Sequence, residues 1–141
     1  MFVDRYEHSL DPKHRIVLPS KFRDELGALV YLAPQDNSLA VYSESQFQDV
    51  AGRLADRNRS GDTDVRLPLA FASSTVETKV DTAGRITIPQ RLRELAQLEK
   101  EVIVAGAIFH VEIWDRDTFE SMDQNFDHVV SQEFRTGGSI N

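Results

Sequence analysis

Two arginines stand out because each follows an aspartate by four residues across a stretch typical of a tight turn. Asp11 and Arg15 enclose Pro-Lys-His, and Asp81 and Arg85 enclose Thr-Ala-Gly. An aspartate at the start of a turn accepts hydrogen bonds from the backbone N–H groups that follow it. An arginine offers a planar fork of donors that matches phosphate and the O6 and N7 atoms of guanine. Two interpretations stay open: each arginine pairs with its own aspartate, or each projects outward to contact a nucleic acid.

Each aspartate–arginine pair opens a longer pattern, residues 11–23 and 81–93, which makes an internal repeat at an offset of 70 positions. The copies share the aspartate, the arginine, the isoleucine after it, a proline and a closing arginine. The similarity continues downstream, where residues 30–33 read VYLA and residues 102–105 read VIVA. Two copies are too few to stack as a solenoid. The repeat therefore predicts two similar halves that close on each other around a pseudo-twofold axis, with a connector near residues 57–73.

Local signals predict the elements that must position these turns. We expect strands at residues 2–10, 15–18, 29–33 and 39–42, and again at 75–80, 85–88, 102–105 and 109–114. The strands on either side of each turn should form a hairpin. Pro19 and Pro89 should each open a short helix, because the first helical turn does not need the missing N–H. The second of these helices should turn Leu92, Leu95 and Ala96 inward.

Two longer helices should follow the fourth strand of each half. Ser43 and Asp115 are suited to cap them. The apolar stripes of these helices are Phe47, Val50, Ala51 and Leu54 in the first, and Phe119, Met122, Phe126, Val129 and Val130 in the second. Between the halves we expect a surface loop at residues 58–64 and a short helix beginning near Pro68.

The predicted fold class is mainly β with short helices, an α+β chain built from two repeats. One continuous helix through residues 11–23 is excluded, because Pro19 in its interior would cost about 3 kcal/mol. The expected organisation is a first repeat at residues 5–47, a helix and connector at 48–74, a second repeat at 75–119, and a C-terminal helix with a loose tail at 120–141.

Composition narrows the possible functions. The formal net charge is −7, yet residues 11–23 carry four basic side chains against one acid, and residues 81–93 carry three against one. Basic charge is thus concentrated in the repeated motif, as expected for a local nucleic-acid contact. The chain has no cysteine, which excludes a disulfide framework and a thiolate metal site. It also has neither a long apolar run nor a secretory pattern, so we expect a cytoplasmic protein without a membrane span.

The doubled pattern Asp-x-x-x-Arg-Ile-x-x-Pro-x-x-(Phe/Leu)-Arg resembles the MraZ family, a member of the AbrB-like, swapped-hairpin group of bacterial transcription factors. Residues 100–106, KEVIVAG, and residues 109–115, FHVEIWD, are also similar to that family. The resemblance implies a pseudo-twofold swapped-hairpin β-barrel with peripheral helices. It further implies closed-ring homo-oligomers that bind short G-rich direct repeats in double-stranded DNA, upstream of the cell-division and cell-wall gene cluster. Such a regulator would be associated with the nucleoid.

The resemblance also assigns the site. It implies DNA contacts within the two turns, at Asp11, Lys13, His14, Arg15, Asp81, Gly84 and Arg85. Secondary basic contacts are expected at Lys21, Arg23, Arg91 and Arg93, and neither a cofactor nor a metal is expected. His14 stands where the family pattern usually has glycine and where the second copy has Gly84. We therefore predict a positive φ at His14.

Two other classes of function compete with a DNA-binding regulator. An enzyme is disfavoured, because no HExxH, GxSxG or P-loop pattern occurs and His8, His14, His110 and His128 do not form a set with a nucleophile. His110 alternates with strand residues and should be exposed or hydrogen-bonded. An antitoxin-like protein or protein-binding adaptor is the second alternative. Antitoxins of the group usually carry one motif per chain and a disordered tail, whereas this chain has two motifs and an apolar helical stripe near its C terminus.

Overall fold

A computed structural model of the chain describes residues 1–137. The strands are β1 (Arg5–Ser9), β2 (Arg15–Val17), β3 (Leu29–Pro34), β4 (Leu39–Ser43), β5 (Val76–Lys79), β6 (Arg85–Thr87), β7 (Glu101–Gly106) and β8 (Val111–Asp115). The helices are α1 (Ser20–Leu26), α2 (Glu44–Arg59), α3 (Leu67–Ser74), α4 (Gln90–Leu95), α5 (Arg116–Asp123) and α6 (Phe126–Arg135). The predicted class, mainly β with short helices in two repeats, is confirmed. Part of the expected loose tail, residues 138–141, lies outside the described residues.

The two halves exchange their first strands. The six-stranded sheet has the order β1-β7-β8-β4-β3-β5, so β1 of the first half completes the second, and β5 of the second half completes the first. The remaining strands, β2 and β6, pair only with each other as a two-stranded ribbon. The predicted local hairpins are therefore wrong. Asp11 N does donate to Arg15 O across the turn (2.9 Å), but beyond that bond the two strands separate to different partners.

The pairing register displays the pseudo-twofold axis directly. Ile16 lies opposite Ile86, its equivalent in the repeat, at the centre of the ribbon. In the large sheet Ala40 lies opposite Glu112, which is its equivalent at the offset of 72 positions that applies downstream of the motif. Each residue therefore faces its own counterpart, and the axis runs through both pairs.

The strand exchange explains how such short halves are stabilised. Ile16 and Ile86 are each 1% exposed, and both belong to one core cluster that draws on strands of both halves. Burying a side chain of this size stabilises by roughly 1.5–3 kcal/mol. Phe22 on α1 and Leu92 on α4 pack into the same core. Leu95 is 46% exposed, contrary to prediction, because α4 ends there and Ala96 takes the inward position.

The helices after β4 follow the sequence signals closely. Ser43 caps α2 by accepting a hydrogen bond from Gln46 N (3.2 Å). Phe47 stacks on the ring of Tyr31, with centroids 4.5 Å apart, and α3 begins at Leu67 with proline in its first turn, as predicted. Helix α2 continues to Arg59, which shortens the predicted surface loop.

The last helix departs from the prediction. The expected single helix is two, α5 and α6, separated at residues 124–125. Asp115 stands at the N-cap of α5 but does not cap it, because its carboxylate accepts a hydrogen bond from Glu99 N (3.0 Å) instead. Phe119 is buried as expected, whereas Val129 and Val130 are 53% and 52% exposed.

No helix within residues 1–137 is long and apolar enough to cross a membrane. In that part of the chain there is also no group of three or more histidine and acidic side chains placed to hold a metal ion.

Candidate nucleic-acid interface

The ribbon of β2 and β6 places the arginines of both motif copies on one surface. Arg15 lies opposite Thr87, and Arg85 lies opposite Val17. Strand side chains alternate between faces, and the central isoleucines point into the core. Arg15, Val17, Arg85 and Thr87 therefore share the outer face, with the arginines two residues apart along the ribbon, which is about 7 Å.

Each turn is organised by its aspartate. Oδ1 of Asp11 accepts hydrogen bonds from Lys13 N (2.9 Å) and Arg15 N (2.8 Å). Oδ1 of Asp81 accepts the equivalent bonds from Ala83 N (2.9 Å) and Arg85 N (2.8 Å). Two backbone N–H groups of each turn, those of its third and fifth residues, are thereby held by one carboxylate oxygen.

The second carboxylate oxygen of each aspartate orients the arginine. Arg15 Nε donates to Asp11 Oδ2, and Arg85 Nε donates to Asp81 Oδ2, both at 2.8 Å. The first interpretation of the arginines is thus correct, since each pairs with its own aspartate. The pairing uses only Nε, however. Within residues 1–137 neither Nη atom of either arginine has a partner, so the pair aims the guanidinium and leaves its terminal donors available.

The same contacts favour the ionised form of both aspartates and lower the pKa of each. The pKa of Asp11 is lowered from 3.8, first by the hydrogen bond from Arg15 N and then by the Arg15 side chain and Lys13 N, against an opposing effect of desolvation. The pKa of Asp81 is lowered from the same value, first by Arg85 N and then by the Arg85 side chain and Ala83 N. At neutral pH both carboxylates are therefore charged and able to hold the arginines.

The fourth residue of each turn has a left-handed backbone. His14 has φ of 60° and Gly84 has φ of 80°, which confirms the prediction for His14. For a residue with a β-carbon this conformation costs about 1–2 kcal/mol. The carbonyl oxygens of these two residues bind across the axis: His14 O accepts from Ile88 N (3.0 Å), and Gly84 O accepts from Leu18 N (2.9 Å). Each turn is thus anchored to the opposite half.

Among the four secondary basic residues, Arg23 is hydrogen-bonded to a turn and the other three bind elsewhere. Lys21 binds Asp4 Oδ2 (2.9 Å) and Arg91 donates to Ser74 Oγ (2.9 Å), so neither is hydrogen-bonded to a turn. Arg23 reaches across to the second turn, where Nη1 lies 3.4 Å from Ala83 O. Arg93, its repeat equivalent, instead donates to Ile88 O in its own half.

Sequence reasoning missed two members of the outer face, Val17 and Thr87. Alternation from the inward Ile16 and Ile86 could have placed them beside the arginines, but only if the two strands were known to pair. A second polar cluster also went unassigned. Glu112 accepts from Trp114 Nε1 and pairs with His110 Nε2, both at 2.8 Å. His110 is thus hydrogen-bonded, as predicted.

Comparison with known proteins identifies close relatives. A sequence model of the family described as "MraZ protein, putative antitoxin-like" matches residues 1–67 and 71–136. The chain is 42% identical over 123 residues to a transcriptional regulator MraZ of Acetivibrio thermocellus, covering 86% of this chain and 85% of that protein. It is 37% identical over 141 residues to the protein of the same name from Nocardia farcinica, covering 98% and 99%. A third relative of that name, from Thermoanaerobacter, is 37% identical over 128 residues, covering 90% of each.

Proposed function

This chain belongs to the MraZ family, and from that premise we propose that it is a DNA-binding transcriptional regulator that contacts double-stranded DNA through the outer face of the β2–β6 ribbon. The contacts are made by the two turns that flank the ribbon, with Arg15 and Arg85 as the principal side chains. The observation that carries the proposal is the aspartate–Nε bond, which orients each guanidinium and leaves both Nη atoms as donors. A fork of that kind, presented end-on, matches guanine O6 and N7.

The dimensions of the ribbon support this mode of binding. The major groove admits a two-stranded β-ribbon. Because β2 and β6 are only three residues long, the outer face holds four side chains, and the two arginines make up half of it. Lys13, His14 and Gly84 lie in the turns at the ends of this face, where phosphate contacts would fix its register.

An acidic net charge does not oppose this proposal, because the basic charge is local. Several ribbons presented by one closed homo-oligomeric ring would bind together, each raising the effective concentration of the next. Such a ring would suit direct repeats, and the family resemblance suggests G-rich repeats upstream of cell-division and cell-wall genes, read by a cytoplasmic, nucleoid-associated protein. Binding through several basic edges should weaken steeply with salt, as condensed counterions are released.

The proposal is tested by DNA affinity at constant salt, using a duplex with G-rich direct repeats and a shuffled duplex of equal composition. Arg15→Ala and Arg85→Ala should each cost about 1–3 kcal/mol on the specific duplex and less on the shuffled one. Arg53→Ala is a matched control. Asp49 and Arg53 on α2 have the same four-residue spacing and form an ion pair of 3.4 Å, and this pair lies outside the ribbon. Unchanged affinity in both ribbon variants would exclude this surface as the DNA contact.

One observation favours a second candidate, an antitoxin-like or adaptor protein. Helix α6 exposes Val129 and Val130 by more than half, a surface suited to a protein partner. In that case the wild-type protein should bind specific and shuffled duplexes equally, and the ribbon arginines should contribute only to general attraction.

A further inference from the structure

We propose that Arg23 of the first half acts at the second turn as a phosphate-contacting arginine, and that His14 prevents Arg93 from doing the same at the first turn. The two turns of one subunit then bind DNA unequally, with the Gly84 turn making the stronger contact. This inference rests on the proposed DNA-binding function and specifies which of the two turns contacts DNA more strongly.

The position of Arg23 depends on the absence of a side chain at residue 84. A β-carbon built on Gly84 would lie 2.6 Å from Cζ and 2.7 Å from Cδ of Arg23, closer than real contacts allow. The arginine side chain therefore packs directly against the glycine α-carbon. Glycine at this position satisfies two needs at once, the φ of 80° and the space for a guanidinium from the other half.

Within the described residues, the side chain of Arg23 makes one weak polar contact. Its contact from Nη1 to Ala83 O is 3.4 Å, longer than an ordinary N–H···O hydrogen bond. A guanidinium has five N–H donors, and the others on Arg23 have no partner within the described part of the chain. A weakly held cation over the turn that carries Arg85 is suited to an anionic acceptor, and a DNA phosphate is the acceptor that a ribbon seated in a groove would meet.

The first turn lacks this arrangement although its sequence supplies the same arginine. Arg93 corresponds to Arg23, but it donates to Ile88 O instead of crossing to the turn. His14 has a β-carbon where Gly84 has none, on a backbone of similar φ, so the equivalent place over the first turn is not open to Arg93. Arg93 and His14 instead line a cavity of about 430 Å³ together with Leu10, Pro12 and Leu98. The side chain of residue 14 thus accounts for the different positions of Arg23 and Arg93.

The test is a pair of double-mutant cycles read by DNA affinity and by its salt dependence. Arg23→Ala in the wild-type background should weaken specific binding about 3–10-fold and reduce the salt slope by about 1, as for one lost phosphate contact. Arg93→Ala should change neither. In a His14→Gly background Arg93 gains access to the first turn, so Arg93→Ala should then weaken binding. In a Gly84→Ala background Arg23→Ala should have no further effect.

Several outcomes would overturn the inference. Equal losses from Arg23→Ala and Arg93→Ala in wild type would remove the asymmetry, and an undiminished loss from Arg23→Ala in the Gly84→Ala background would remove the role of the glycine. Arg23→Lys separates phosphate contact from fold support, because it should keep the salt slope of the wild type. If Gly84→Ala does not fold, the His14→Gly cycle decides alone. If Arg85→Ala lowers affinity and Arg23→Ala does not, this inference fails while the proposed function stands; if neither Arg15→Ala nor Arg85→Ala lowers it, the proposed function fails.

Discussion

In the first turn the fourth residue is His14, and in the second it is Gly84, yet the backbones differ by only 20° in φ, at 60° and 80°. The aspartate contacts also agree within 0.1 Å, since each carboxylate accepts from the third and fifth residues of its turn at nearly identical distances. The turns differ in their contact with an arginine from the short helix of the opposite half. Arg23 on α1 contacts Ala83 O in the second turn, whereas Arg93 on α4 donates to Ile88 O and not to the first turn.

The two turns of this pseudo-twofold protein are symmetric in some contacts and not in others. Contacts made by main-chain atoms and by the shared aspartate are the same in both copies, because both copies supply identical groups. The symmetry is broken at the fourth residue of the turn, where Gly84 has no side chain and His14 has one. The fourth residue of the turn therefore adds a chemical difference between two surfaces whose aspartate contacts are equivalent.

The largest effects should come from the ribbon core, where the copies are equivalent. Ile16→Ala and Ile86→Ala should each lower the free energy of unfolding by about 2–5 kcal/mol, because each deletes buried methyl groups and leaves a cavity. The two losses should be similar, since both side chains are 1% exposed and face each other across the axis. Urea denaturation measures both values. A difference of several kcal/mol between the variants would show that the core does not share the symmetry of the backbone.

The next largest effect should distinguish the copies. His14→Gly should stabilise the fold by up to about 1–2 kcal/mol, because it removes a β-carbon from a left-handed position. Gly84→His should destabilise it by at least as much, since the new side chain meets Arg23 as well as an unfavourable φ. The unfolding free energies of both variants check this. Opposite signs are expected; loss of stability in both would mean that His14 makes a contact worth more than its backbone strain.

Local sequence signals predict contacts between neighbouring residues but do not predict which distant segments pair. Pro19, Ser43 and the glycine-like position of His14 act on neighbouring backbone, so the helix starts, the cap and the positive φ were predictable. The partner of β1 was not, because β7 lies far along the chain and its pairing is decided by the burial of both halves together. Asp115 shows the same limit, since its carboxylate is taken by Glu99 from outside its helix.

The contacts of the candidate site also differ in how far local sequence could predict them. The four-residue spacing of Asp11 and Arg15 offered their bond as one of two interpretations, because a tight turn can bring the two side chains together. Arg23 and Arg93 occupy equivalent positions in the repeat, so no pattern in their own segments separates them. Their different contacts come from residues 84 and 14 in the opposite half, which only the exchanged topology places beside them.

A smaller effect should appear on acidification and should be common to both turns. The pKa values of Asp11 and Asp81 are lowered below 3.8 in the folded protein, first by the backbone N–H groups of Arg15 and Arg85. A group of this kind contributes stability that is present above its unfolded pKa and is lost as pH falls through the lower folded value. The contribution is modest because both carboxylates are solvent-accessible.

The corresponding measurement is the thermal midpoint as a function of pH in wild type, Asp11→Asn and Asp81→Asn. Below pH 3.8, the unperturbed value, the midpoint of the wild type should fall toward those of the variants. Each variant should lose part of this acid response, and the two should lose similar parts. An acid response unchanged in both would show that other carboxylates dominate it.

The smallest effect concerns the two side chains that share the outer face with the arginines. Val17 is opposite Arg85, and Thr87 is opposite Arg15, so the face is asymmetric by one methyl-for-hydroxyl exchange. Val17→Thr makes both neighbours threonine. Because residue 17 is 41% exposed, stability should change by no more than about 0.5 kcal/mol.

DNA preference should shift modestly, since an apolar side chain beside the arginine favours a thymine methyl group and a hydroxyl tolerates either base type. A panel of duplexes varied one base pair at a time measures this shift, with Thr87→Val as the reciprocal variant. Shifts at different base pairs for the two variants would place both ends of the ribbon against DNA, whereas a shift for Val17→Thr alone would confine base contact to the end that carries Arg85.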